Sequence, residues 1–228
     1  MDSLFSRMTA LLASTVLLLP MVCSEQTPSE RKMSFTVPTL QPDSIQSFGY
    51  KCRWIAIRTD DLQAVISTLG LQDCRVGSWA EGIQTAYKYP DGEVFVTPPV
   101  NGYILCVSRS LPEFPTSDLP DEITPILKRL AARFADVQYF FTYRVSDGQA
   151  WARFTNGTCT RAFAIFQGDL SWNSGELTPV EKGLDLEFPS EQDVMKVAGN
   201  WSIDPSEFEK KPVDVTQGIV GKLTPPST

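Results

Sequence analysis

Histidine is absent from all 228 residues. That gap removes the side chain best poised for proton transfer near neutral pH and the usual activator of Ser and Cys nucleophiles. Ser-His-Asp and Cys-His hydrolysis are excluded, as are zinc sites of the HExxH type. Missing too are the phosphate-binding GxxxxGK[ST] loop, the GxGxxG turn, the GxSxG elbow and the DxDxDG calcium loop. The SERK stretch at 29–32 fits Ser-x-x-Lys spacing, but it lies in a polar segment where no pocket can form. No cysteine pair has CxxC spacing, so zinc would need all of Cys52, Cys74, Cys106 and Cys159. We expect no cofactor and no metal. Basic residues are also short: 20 Lys and Arg face 27 Asp and Glu, a net charge of −7. Nucleic acid and anionic membrane surface would repel such a body.

What is present begins with an apolar leader. ALLASTVLLL, ahead of Pro20, has the length of a signal-peptide core and falls short of the ~20 apolar residues that span a bilayer. Two fates fit the sequence around Cys23: ordinary cleavage after Ser24, or lipidation of Cys23 itself. Either one takes the chain out of the cytoplasm, to the periplasm, an outer-membrane anchor or the exterior. Membrane contact would then come only through that anchor. We read residues 1–24 as the leader and 25–44, polar and Pro-punctuated, as a flexible tether. In an oxidising compartment the four remaining cysteines are an even set able to form disulfides. Four buried free thiols are the plainer alternative.

The hydrophobic share of 42% demands a packed core. YKCRWIAIR alternates as a strand, with Cys52, Trp54 and Ala56 on one face. DDLQAVISTLG follows, where Leu62, Val65, Ile66 and Leu69 fall at i, i+3, i+4 and i+7 and Gly70 ends the helix. Ser78 and Glu81 have capping-box spacing for one short turn. IQTAYKY, EVFVT and GYILCVSR read as three strands. A second helix is expected from Ile123 to Phe134, then DVQYFFTYRV, QAWARFT and TCTRAFAIFQ as three more strands. Asn156-Gly157 between the last two is the strongest hairpin signal in the chain. Thr178 and Ser190 each start a short helix, the latter carrying Val194, Val197 and Ala198. The expected fold is therefore α+β: a mainly antiparallel sheet, strand-helix-three strands-helix-three strands, with helices on one face and a short helical C-terminal segment. The domain is read as residues 45–205, and 206–228 as a polar tail.

Chemistry must come from what remains. Paired carboxylates, one held protonated, hydrolyse glycosides without histidine; Glu81 with Glu93 and Asp169 with Glu176 are the candidates. Helix capping and turn positions explain the same residues more simply. Charge placement is the sharper clue. Between Asp169 and Glu209 ten carboxylates face only Lys182 and Lys196. A solvated face is the ordinary reading of such a run. The functional one is a docking surface for a protein with a basic surface, where Glu176, Glu181, Asp185 and Glu187 supply the field and Trp172 and Trp201 the apolar anchors.

EVFVTPPVNGYILCV, FADVQYFFTYRV, the AWARF to RAFAIF pair and GELTPVEKGLDLEFPSEQDVMKVAGNWSIDP resemble a family of bacterial proteins without assigned function. The resemblance covers residues 79–205. It implies a bacterial source and a single domain, and it brings no catalytic residue with it. The expected function is non-catalytic protein binding outside the cytoplasm, with the immunity proteins that neutralise delivered toxins as a fitting class. A carboxylate-dependent hydrolase of envelope or extracellular glycan and a structural envelope protein are the alternatives.

Overall fold

The computed structural model describes residues 43–90, 92–116, 119–210 and 217–223. The leader, Cys23 and almost all of the tether fall outside them. Nine strands make one sheet: β1 (Arg53–Arg58), β2 (Leu71–Gly77), β3 (Val94–Val96), β4 (Tyr103–Ser108), β5 (Asp136–Tyr143), β6 (Gly148–Thr155), β7 (Thr158–Phe166), β8 (Asp169–Gly175) and β9 (Gly218–Leu223). Their order is β2-β9-β3-β4-β1-β5-β6-β7-β8, and every neighbouring pair is antiparallel. Four helices accompany them: α1 (Leu62–Leu69), α2 (Trp79–Ala86), α3 (Ile123–Ala131) and α4 (Glu191–Trp201). The class is α+β.

The helices cover both faces of the sheet, not one. Alternation along β1 sends Ile55 and Ile57 into a core with α1 and α3, and Trp54 and Ala56, with Cys52 just before the strand, into a second core with α2 and α4. Both faces of β5 are buried for this reason, and its residues Asp136–Thr142 form an unbroken buried run. Trp54 stacks on Phe140 at 5.0 Å, and Trp151 stacks on Phe163 at 4.5 Å, in the second core.

Local signals produced the elements they should. Asp61 caps α1 by accepting from the Ala64 N–H, and Gly70 closes it in the left-handed region at φ 74°. Ser190 and Asp193 form a reciprocal capping box on α4, whose Val194, Val197 and Ala198 are buried. Asn156 and Gly157 both take positive φ, 48° and 82°, as a type I′ hairpin turn requires.

Three expectations are corrected. IQTAYKY is not a strand: Ile83–Ala86 continue α2, because Trp79, Gly82 and Ala86 turn a stripe toward the sheet and Phe95 lies against Gly82. Two polar edge strands, β2 and β8, extend the sheet beyond the six of the seven expected strands that form. The segment after residue 205 is not merely a tail, since β9 inserts between β2 and β3 with Val220 fully buried.

Candidate functional site

The acidic segment after β8 is clamped to the sheet by an interior ion pair. Glu181 is 1% exposed. Its Oε1 accepts from Arg161 Nε and Trp151 Nε1, each at 2.7 Å. Its Oε2 accepts from the Thr178 N–H at 2.9 Å and the Thr178 hydroxyl at 2.6 Å. Burial alone would raise this carboxyl, but the bonds from Thr178, Trp151 and Arg161 outweigh it and hold the group below its ordinary value. Arg161 also donates to the carbonyls of Ala162 and Ser174 and to Asn173 Oδ1. Glu181 thus fastens the segment from the interior rather than standing on the surface. Trp201, the second interior member of the expected set, packs against Phe140 at 5.9 Å and under the Arg153 guanidinium at 5.7 Å.

The other four do not gather into one patch. Trp172 is half-buried on β8 against the first core, and Glu176, Asp185 and Glu187 are exposed. Glu176 follows β8 at one rim of the sheet. Glu187 lies near the β7–β8 turn at the opposite rim, roughly 20 Å away at the rise of a strand. There Asp185 Oδ1 accepts from the N–H groups of Glu187 (3.0 Å) and Phe188 (3.3 Å), which fixes the loop. Phe188 stands 72% exposed on it, above a buried Pro189.

Phe188 walls a groove of about 360 Å³ together with Asp147, Gln149, Ile165 and Glu187. Beyond the shared Asp147 and Gln149 a second hollow of about 700 Å³ runs past Tyr50, Arg144 and the start of α4. Val145, 71% exposed, and Tyr50, 43% exposed, complete an apolar group along this rim. Sequence reasoning missed these three residues. A Phe between Glu187 and Pro189, outside any apolar period, was the one signal available.

The same rim carries a cleft of opposite charge. Arg53, at the start of β1, donates from Nη1 to the carbonyls of Arg109 and Leu111 (2.9 Å to the latter) and from Nη2 to Glu113. This ties down the loop after β4. Lys51, Arg109, Tyr89 and Tyr143 join Arg53 around a cavity of about 170 Å³. The Arg109 guanidinium lies over Tyr89 at 5.6 Å and Tyr143 at 5.8 Å.

The two candidate carboxylate pairs are placed differently. Glu81 and Glu93 do meet, but on Arg75, at 3.5 and 2.7 Å. Asp169 and Glu176 flank opposite ends of β8. Cys52, Cys74, Cys106 and Cys159 are free thiols. Cys52 and Cys106 face different cores, and burial pushes the Cys52 thiol up to about 12. Among the described residues no cluster of three or more Cys, Asp or Glu could hold a metal ion, and no helix is long and apolar enough to cross a membrane.

No family model, curated protein or solved structure matches this chain.

Proposed function

We propose that this chain is an exported, non-catalytic protein-binding module whose partner presents a basic surface to the groove beside Phe188. The observation that carries this reading is the pose of Phe188. A large apolar side chain is held out to solvent on a loop that Asp185 has already ordered. Docking then costs little further backbone entropy, and burying one such ring contributes about 1.5–3 kcal/mol. Asp147 and Glu187 line the groove and Asp185 stands exposed beside it, so a cationic partner is drawn in and its rivals are turned away.

The immunity-protein class suits this arrangement, because neutralising a toxin asks for a rigid acidic surface and no chemistry. Location outside the cytoplasm rests on the leader sequence. The resemblance to bacterial proteins without assigned function is compatible with it.

The test is capture from the native envelope with Phe188→Ala beside Leu177→Ala, an exposed apolar residue past the far end of β8. Phe188→Ala should lower recovery of a stoichiometric partner at least about tenfold, as loss of an anchor does, while Leu177→Ala should not. Equal recovery by both variants, or no partner at low salt, would refute the proposal.

A further inference from the structure

We propose that the cleft between Lys51, Arg53, Arg109, Tyr89 and Tyr143 is a second, separate binding site, for a small molecule bearing an oxyanion, either carboxylate or phosphate. Three cations and one carboxylate, Glu113, line the inner cavity of a protein whose net charge is −7. Glu122 lies further out, on the wall of the adjoining hollow, so positive charge concentrates at the inner end. Glu113 is already engaged by Arg53. Among the described residues neither the Lys51 nor the Arg109 side chain has a carboxylate partner, while seven other Arg or Lys side chains do.

Arg109 is held by other means. Its guanidinium sits against two tyrosine rings, and among the described residues its one hydrogen bond to protein, to the Tyr87 carbonyl, is long at 3.5 Å. Two cation–π contacts hold the guanidinium and leave most of its N–H donors unspent among the described residues, which is the arrangement a bidentate oxyanion needs. Lys51 adds a backbone signature. It is a non-glycine residue at φ 54°, kept there by bonds from its N–H to Thr142 Oγ1 at 2.8 Å and Glu191 Oε1 at 3.3 Å. Such a conformation costs energy and persists where surrounding structure enforces it, commonly at ligand sites. Phe141 forms part of the apolar wall, with the Arg53 guanidinium 5.1 Å from its ring centre. A cavity of about 170 Å³ has room for several waters, or for one carboxylate or phosphate group and a short body.

The experiment is an NMR titration of the isotopically labelled full chain, following backbone amides and arginine Nε–H signals. Inorganic phosphate is the probe in one arm and benzoate in the other. Saturable shifts at Lys51, Arg109 and Tyr143, with a dissociation constant of about 1 mM or tighter, are expected in at least one arm, and the stronger arm names the headgroup. Arg109→Gln and Lys51→Gln should each weaken binding about tenfold. Arg58→Gln, at the far end of β1 and roughly 17 Å away by strand rise, should change it less than about twofold. Shifts that never saturate in either arm, or an equal loss in Arg58→Gln, would overturn the site. Phe188→Ala should leave this titration unchanged, so its result is independent of the docking groove.

Discussion

At the scale of single residues, the chain separates charges that hold the fold from charges exposed at the rim. Glu181 belongs to the first kind. Replacing it by Gln strands Arg161, which is about as buried and has Nη2 already unpaired. The expected loss is about 3 kcal/mol, read from urea unfolding. The pH dependence follows from the lowered folded-state value of this carboxyl. Its contribution is fully present above the unfolded value, near about 4.3, and disappears as pH falls through the folded one. Acid should therefore destabilise the wild type more steeply below about pH 4 than it does Glu181→Gln. The thiols give a second residue-scale outcome. Cys52 and Cys106 are buried, and both are pushed up by desolvation. A thiol reagent at neutral pH should label Cys74 and Cys159 in the native protein and all four only after denaturation.

Elements were legible wherever the signal was local. Gly70 after an i, i+3, i+4, i+7 stripe, the Asn156-Gly157 pair and Ser190 at a helix start each settle geometry within a few residues, and each stands in the structure as read. Partnerships across long separations were not legible. β9 pairs with β2 some 147 residues earlier (Leu71 with Leu223 is separated by 152, Gly77 with Gly218 by 141). Nothing in a short run with two glycines announces that. β2 and β8 are edges, β8 largely exposed and β2 buried only at its first and last residues, so the apolar alternation that marks a strand is weak in both. IQTAYKY misled because so short a stretch fits either period. In the acidic segment one expected aromatic anchor, Trp201, is buried and the other, Trp172, is half-buried, while Phe188 is the aromatic side chain left exposed. Ending the chain at residue 217 removes the strand that joins β2 to β3. Such a protein should lose cooperative thermal unfolding, followed by circular dichroism.

Across the whole molecule, one rim of the sheet gathers what the rest of the fold does not need. The starts of β1, β6 and β8 and the ends of β4, β5 and β7 meet there, and loops from both faces reach it. Asp147, Glu187 and Phe188 occupy one stretch of it, and Lys51 and Arg109 another. Proximity of the two does not make them one site, since their charges attract different ligands. The reading of this chain as a binder depends on the acidic stretch. Its most direct test is the affinity of the captured partner for wild type, Phe188→Ala and Glu187→Lys, measured at about 50 mM and about 500 mM salt. The account predicts that salt and Glu187→Lys each weaken binding about tenfold or more, and that Phe188→Ala does so at both salt concentrations. An affinity that ignores salt and both substitutions would contradict it.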